Sequence, residues 1–124
     1  MFHSRIYIAE EDQQLQRRLC AALRANGFDV TTSDNGYSIV EMMDSWPDIF
    51  LIDIELPGVN GLEVCKWLKS HESSRNIPVI FISGEPYLKI LASSTPADDY
   101  IEKPVSVPDV IKKIQQFIVV EKER

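Results

Sequence analysis

The chain has 124 residues, 44% of them hydrophobic and 26% charged, which fits one ordinary globular domain able to bury roughly two-thirds of its unfolded surface. Thirteen Lys and Arg against 19 Asp and Glu leave a net charge of −6, which argues against nucleic-acid binding by this segment and suits a site that gathers carboxylates around a hard cation. No apolar run approaches membrane-spanning length, and Glu10-Glu11-Asp12 interrupts any signal-like core, so a single cytoplasmic domain over residues 1–124 is expected, without membrane contact.

Ile6 to Ala9 is a short strand that ends in Glu10-Glu11-Asp12. Gln13 to Asn26 follows as a helix, with Leu15, Leu19, Ala22 and Leu23 on one face and Asn26-Gly27 as its stop. Phe28 to Thr32 is a second strand and Asn35-Gly36 a turn. Ile39, Met42, Met43 and Trp46 mark a second helix, closed by Pro47. Ile49 to Asp53 has no polar alternation and reads as a strand buried on both faces. Pro57-Gly58 and Asn60-Gly61 then turn the chain into a third helix, about Gly61 to Ser70, with Leu62, Cys65 and Leu68 facing inward.

His71 to Asn76 is a polar loop, and Pro78 to Ser83 repeats the fully buried strand signature. Pro86 to Ser93 is a weak helix limited by Pro96, and Asp99 to Glu102 a short fifth strand before Lys103-Pro104. Val107, Val110, Ile111, Ile114, Phe117 and Ile118 form the clearest helical stripe. Cys20 and Cys65 fall inside helical patterns and read as free thiols. Trp67 lies off the inward stripe of its helix, its ring expected flat over neighbours; His3 and His71 suggest neither a phosphohistidine nor a metal site.

Five strand–helix alternations predict an α/β fold, a doubly wound parallel sheet with helices on both faces and the flavodoxin-like strand order 2-1-3-4-5. In such a sheet the carboxyl ends of the strands meet at one edge, where ligands bind. The residues delivered there are Glu10 and Glu11, Asp53, Ser83 and Lys103. Singly, each has a plain structural reading: acids at a helix start with Asp12 as cap, a strand-end serine, a solvated lysine. Together they have a chemical sense. Clustered carboxylates raise one another's proton affinity unless a cation sits among them, and oxygen ligands at an open edge suit Mg²⁺. A carboxylate beside Mg²⁺ can attack a phosphoryl group, and the resulting aspartyl phosphate could bond Ser83 and pair with Lys103.

The chain resembles a response-regulator receiver domain over essentially its whole length. The resemblance is carried by Glu10-Glu11, by Leu51-Ile52-Asp53-Ile54-Glu55-Leu56-Pro57-Gly58-Val59-Asn60-Gly61, by Ile77 to Ser83, and by Asp98-Asp99-Tyr100-Ile101-Glu102-Lys103-Pro104. It implies that Asp53 accepts a phosphoryl group from a histidine kinase or phosphotransfer protein. It implies Mg²⁺ held by Glu11, Asp53 and the backbone carbonyl of Glu55, with Glu10 acting through water. It also implies a switch in which Ser83 moves toward the phosphoryl oxygens and Tyr100 rotates inward, altering the surface read by an output protein or fused output domain. Such a domain is no enzyme beyond its own phosphorylation and dephosphorylation, and would be a monomer or weak dimer.

Three features depart from the family pattern. Glu11 stands where aspartate is usual, and one methylene adds roughly 1.5 Å of reach. The interval from Ser83 to Lys103 is slightly short, with Pro96-Ala97 in place of the usual Gly-Ala. Glu55 and Glu85 add negative charge two residues beyond Asp53 and Ser83, where the family tunes phosphoryl lifetime. The competing readings are a phosphorylation-independent pseudo-receiver and an Asp-nucleophile phosphohydrolase. The latter would need a further acidic pair and a cap, for which the chain leaves no room after Lys103.

Overall fold

Strand and helix alternate throughout this computed structural model, which describes residues 4–41, 45–84 and 88–118. The elements are β1 (Arg5–Ala9), α1 (Gln13–Ala25), β2 (Asp29–Ser33), α2 (Tyr37–Val40), β3 (Ile49–Asp53), α3 (Gly61–Lys69), β4 (Val79–Ser83), α4 (Leu88–Ser93), β5 (Asp99–Glu102) and α5 (Val107–Phe117). The strands form one sheet in the order β2-β1-β3-β4-β5, with every neighbouring pair parallel. This is the expected topology.

β3 and β4 are buried at all five positions, because side chains alternate between two covered faces. Ile6, Ile8, Leu51, Ile80 and Ile82 point toward α1 and α5, where they meet Leu15, Leu19, Leu23, Val110 and Ile114. Tyr7, Ala9, Phe50, Ile52 and Phe81 point the other way, toward Ile39, Val64, Cys65, Leu68 and Leu88. A sheet packed on both faces fixes register strongly, since a one-residue slip would exchange the two sets. Every strand therefore delivers its last residue to a defined place on the carboxyl edge.

The helix starts behave as their sequences require. Asp12 caps α1, its Oδ1 accepting from the Gln14 and Leu15 N–H groups at 3.0 and 3.2 Å. Asn60 caps α3 by accepting from the Glu63 N–H at 3.0 Å. The inward face of α3 differs from expectation: Gly61, Val64, Cys65 and Leu68 are buried, at i, i+3, i+4 and i+7, while Leu62 is only half-buried at the margin. Ala22 of α1 is likewise half-buried.

The second helix is also corrected. α2 covers Tyr37–Val40, and Trp46 is not helical; its carbonyl accepts from the Arg5 guanidinium, which also donates to Ser45 Oγ. Met42 and Met43, assigned by sequence to that helix, and Glu85, Pro86 and Tyr87, near the start of α4, lie outside the described residues, as does His3. The polar segment after α3 contains a buried anchor that its composition hides. Ser74 is fully buried, its hydroxyl donating to the Leu68 carbonyl at 2.7 Å. Trp67 is half-buried between Trp46 and His71, with centroid separations of 6.4 and 4.2 Å. The cysteines are unpaired, Cys65 buried and Cys20 half-buried.

Candidate functional site

The sheet brings Glu10, Asp53, Ser83 and Lys103 to one edge. Glu10 directly follows β1, Asp53 and Ser83 are the last residues of β3 and β4, and Lys103 directly follows β5. All three non-lysine residues are buried, Glu10 and Ser83 at 1% exposure and Asp53 at 3%. Their backbones are tied across the edge: the Lys103 N–H donates to the Ser83 carbonyl and the Glu10 N–H to the Ser33 carbonyl, both at 3.0 Å.

Lys103 links the acids. Its Nζ donates to Asp53 Oδ2 at 2.9 Å and to Glu10 Oε2 at 3.1 Å, joining residues far apart in sequence. Asp53 is fixed from the other side as well, Oδ1 accepting from the Glu55 N–H at 2.9 Å. Glu10 Oε2 also accepts from the Asp12 N–H at 3.0 Å, whereas Glu10 Oε1 is buried without a hydrogen-bond partner. One ammonium thus serves two buried carboxylates.

The charge imbalance shows in the proton affinities. Burial, with the Asp53 carboxylate alongside, pushes the Glu10 carboxyl up to about 7. Burial acts to lower the Lys103 value, but its bonds to Asp53 and Glu10 outweigh that and hold the ammonium above the ordinary lysine value.

The loop after β3 closes over this edge under steric constraint. The Gly61 N–H donates to the Ile54 carbonyl at 2.8 Å, and a Cβ at Gly61 would lie 2.5 Å from the Asp53 carbonyl oxygen. Gly58 has φ +82°, a conformation that side chains disfavour, and the Tyr37 ring packs against it. Glu10, Glu11, Asp12, Asp53, Glu55 and Lys103 line an open cleft of about 280 Å³.

The three acids after β1, alike in sequence, have separate fates. Glu10 is buried against Lys103, Glu11 is exposed at the cleft rim, and Asp12 is occupied as the α1 cap. Tyr100, in β5, is half-buried against the core on the α3 side. Among the described residues no three Asp, Glu, His or Cys side chains cluster closely enough to ligate a metal by themselves. That is compatible with Mg²⁺, which keeps several waters and takes few protein ligands. The buried, unpartnered Glu10 Oε1 is the observation that favours a cation here. Sequence reasoning missed Gln16, whose side-chain Nε2 donates to the Glu10 and Ser33 carbonyls, each at 3.0 Å. A glutamine in an exposed-looking helical turn carries no signal of such a contact.

A parallel α/β sheet with a lysine-bridged acidic pair at its carboxyl edge carries its charged residues where open α/β sheets bind ligands. The response regulator receiver domain family matches residues 6–115, and the chain belongs to that family. It is 34% identical to the phosphate regulon transcriptional regulatory protein PhoB of Klebsiella pneumoniae over 114 residues, 90% of this chain and 50% of that protein. It is 36% identical to the polar-differentiation response regulator DivK of Brucella anthropi, covering 87% of this chain and 91% of DivK. The chain spans about half the length of the PhoB relatives it matches. Among solved structures it superposes on the receiver domain of sensor histidine kinase PA1611 from Pseudomonas aeruginosa, described with a magnesium ion in its active-site cleft. That pair has TM-score 0.83 at 21% identity, covering 94% of this chain and 98% of the other.

Proposed function

We propose that this receiver domain accepts a phosphoryl group on Asp53 from a histidine kinase or phosphotransfer protein and presents an altered surface to an output protein or domain. The observation that carries the reading is the Asp53 carboxylate, buried at the sheet edge and oriented by Lys103 and the Glu55 N–H. An Asp53 oxygen attacks the phosphorus of a phosphohistidine, the P–N bond breaks, and the imidazole leaves with the electron pair. The product is an acyl phosphate carrying about −1.5 to −2 charges.

The remaining residues handle that charge. Lys103, already within 2.9 Å of Asp53, pairs with a phosphoryl oxygen, and the Ser83 hydroxyl donates to another. Glu11, Asp53 and the Glu55 carbonyl would hold Mg²⁺, with Glu10 acting through water, and the ion would supply charge neutralisation there. As Ser83 is drawn toward the phosphoryl group, Tyr100 turns inward and the face formed by α4, β5 and α5 changes. No described helix is long and apolar enough to cross a membrane. We place the domain in the cytoplasm, as a monomer or weak dimer, with no nucleic-acid contact by this segment.

The test is intact mass after incubation with Mg²⁺ and a small-molecule phosphodonor, beside Asp53→Asn. The expected result is a Mg²⁺-dependent gain of one phosphoryl group that the variant lacks. No gain in a folded protein with excess Mg²⁺ would leave a phosphorylation-independent interaction module.

A further inference from the structure

Gln16 lies in the second turn of α1, half-buried, and reaches back across the sheet edge. Its acceptors are both main-chain carbonyls, Glu10 and Ser33, so the amide must turn its NH₂ toward them and both of its protons are used. The Ser33 carbonyl also accepts the Glu10 N–H at 3.0 Å. The Gln16 N–H in turn donates to the Asp12 carbonyl at 2.9 Å, and the Asp12 N–H to Glu10 Oε2 at 3.0 Å. One side chain therefore joins the ends of β1 and β2 to the start of α1, at the peptide linking Glu10 to Glu11.

That peptide matters because the two acids are supported unequally. Glu10 has its carboxylate held by Lys103 and the Asp12 N–H. Glu11 is exposed, and its reach into the cleft is set by where its backbone starts. A glutamate has one more rotatable bond than an aspartate, so a fixed backbone restricts a side chain with more freedom to lose.

We propose that Gln16 is a positioning residue for the acidic pair, locking the Glu10–Glu11 peptide so that both carboxylates face a divalent cation in the cleft. The proposal rests on the receiver reading. Groups that orient metal ligands typically change affinity by about 10–100-fold when removed.

The test uses the full chain, with Mg²⁺ titrations followed by backbone amide shifts of Asp53 and Ile54, and thermal unfolding in EDTA as a folding control. Gln16→Leu removes both donors, and Gln16→Glu replaces them with acceptors at nearly unchanged shape; both residues form helix well. Each is expected to weaken Mg²⁺ binding by about 10-fold. Charge alone would make Gln16→Glu bind more tightly, so its weakening isolates geometry. Gln16→Arg, which can again donate to both carbonyls, is expected to restore most of the affinity. With a phosphodonor, the Mg²⁺ concentration needed should rise while the rate at saturating Mg²⁺ recovers. Unchanged Mg²⁺ affinity in Leu and Glu variants overturns the proposal, whatever happens to thermal stability. Absence of Mg²⁺ binding by the wild-type chain overturns the Mg²⁺-dependent phosphoacceptor reading and this proposal with it.

Discussion

Lys103 and Lys69 stand at opposite ends of the sheet, and each ties elements together through a part-buried ammonium. Lys69, the last residue of α3, donates to the Arg75 and Ile77 carbonyls at 3.2 and 2.8 Å and to Asp98 Oδ2 at 2.9 Å. Asp98 Oδ2 also accepts from the Val79 N–H at 2.8 Å, so this group clamps the amino ends of β4 and β5. One cation meets one carboxylate there, and all three ammonium donors are used. Lys103 instead meets two buried carboxylates, with Glu11 and Glu55 at the rim and one Glu10 oxygen unpartnered. The balanced cluster is a fastening. The unbalanced one is poised to take up positive charge, the pattern expected where function has been favoured over stability.

The largest effect should come from removing each lysine in turn. Lys103→Met leaves two adjacent buried carboxylates without their cation, and a broken buried pair costs about 3–5 kcal/mol. Lys69→Met should cost less, about 1–3 kcal/mol, because Asp98 is partly exposed and keeps its bond from Val79. Urea denaturation at pH 7 with and without Mg²⁺ separates the two. Mg²⁺ should recover part of the loss in Lys103→Met and none in Lys69→Met. Equal responses to Mg²⁺ would break the distinction between the clusters.

A smaller effect follows from the raised Glu10 carboxyl, at about 7 against an ordinary 4.5. The folded protein binds this proton more tightly than the unfolded chain does. Its contribution is therefore complete below pH 4.5 and is lost as pH rises through about 7, so metal-free stability should decline across that window. Glu10→Gln should flatten the slope and raise metal-free stability at pH 8 by roughly 2 kcal/mol, a tenfold change in proton affinity being worth about 1.4 kcal/mol and the open cleft screening part of the whole. Denaturation midpoints across pH 4–8 measure both. A slope unchanged in Glu10→Gln would assign the titration to another group.

Much of this contrast was legible in the sequence, though unevenly. Unbroken apolar runs marked β3 and β4, and the residue ending each run gave Asp53 and Ser83 their places. Lys103-Pro104 after a short strand placed the lysine at the same edge. What the sequence hid was the division of labour among Glu10, Glu11 and Asp12, because burial against a lysine 93 residues away is set by tertiary packing. The amino-end cluster was hidden for the same reason, since Lys69 and Asp98 look like ordinary surface charges until α3 and β5 are placed together. Helix α2 was overextended from a stripe that included Trp46, whose carbonyl is engaged by Arg5.

Ser74 offers the finest division between the two clusters. Its buried hydroxyl donates to the Leu68 carbonyl, and the Ser74 carbonyl accepts from the Ile77 N–H at 3.0 Å. The hydroxyl thus anchors the same loop whose Arg75 and Ile77 carbonyls receive Lys69. Ser74→Ala should cost about 1–2 kcal/mol, as the Leu68 carbonyl loses its shorter bond and keeps the His71 N–H at 3.4 Å, and should leave Mg²⁺ affinity unchanged. Because Lys69 and Ser74 hold one loop, the double variant should lose less than the two single losses combined, with a coupling of about 0.5–1 kcal/mol. Lys103→Met and Ser74→Ala share no hydrogen-bond partner, and their losses should add within about 0.5 kcal/mol. Coupling between Ser74 and Lys103 as large as that between Ser74 and Lys69 would mean the two ends of the sheet respond as one unit. Strain at the carboxyl edge would then reach the amino end through β4, and the fastening could not be treated apart from the site.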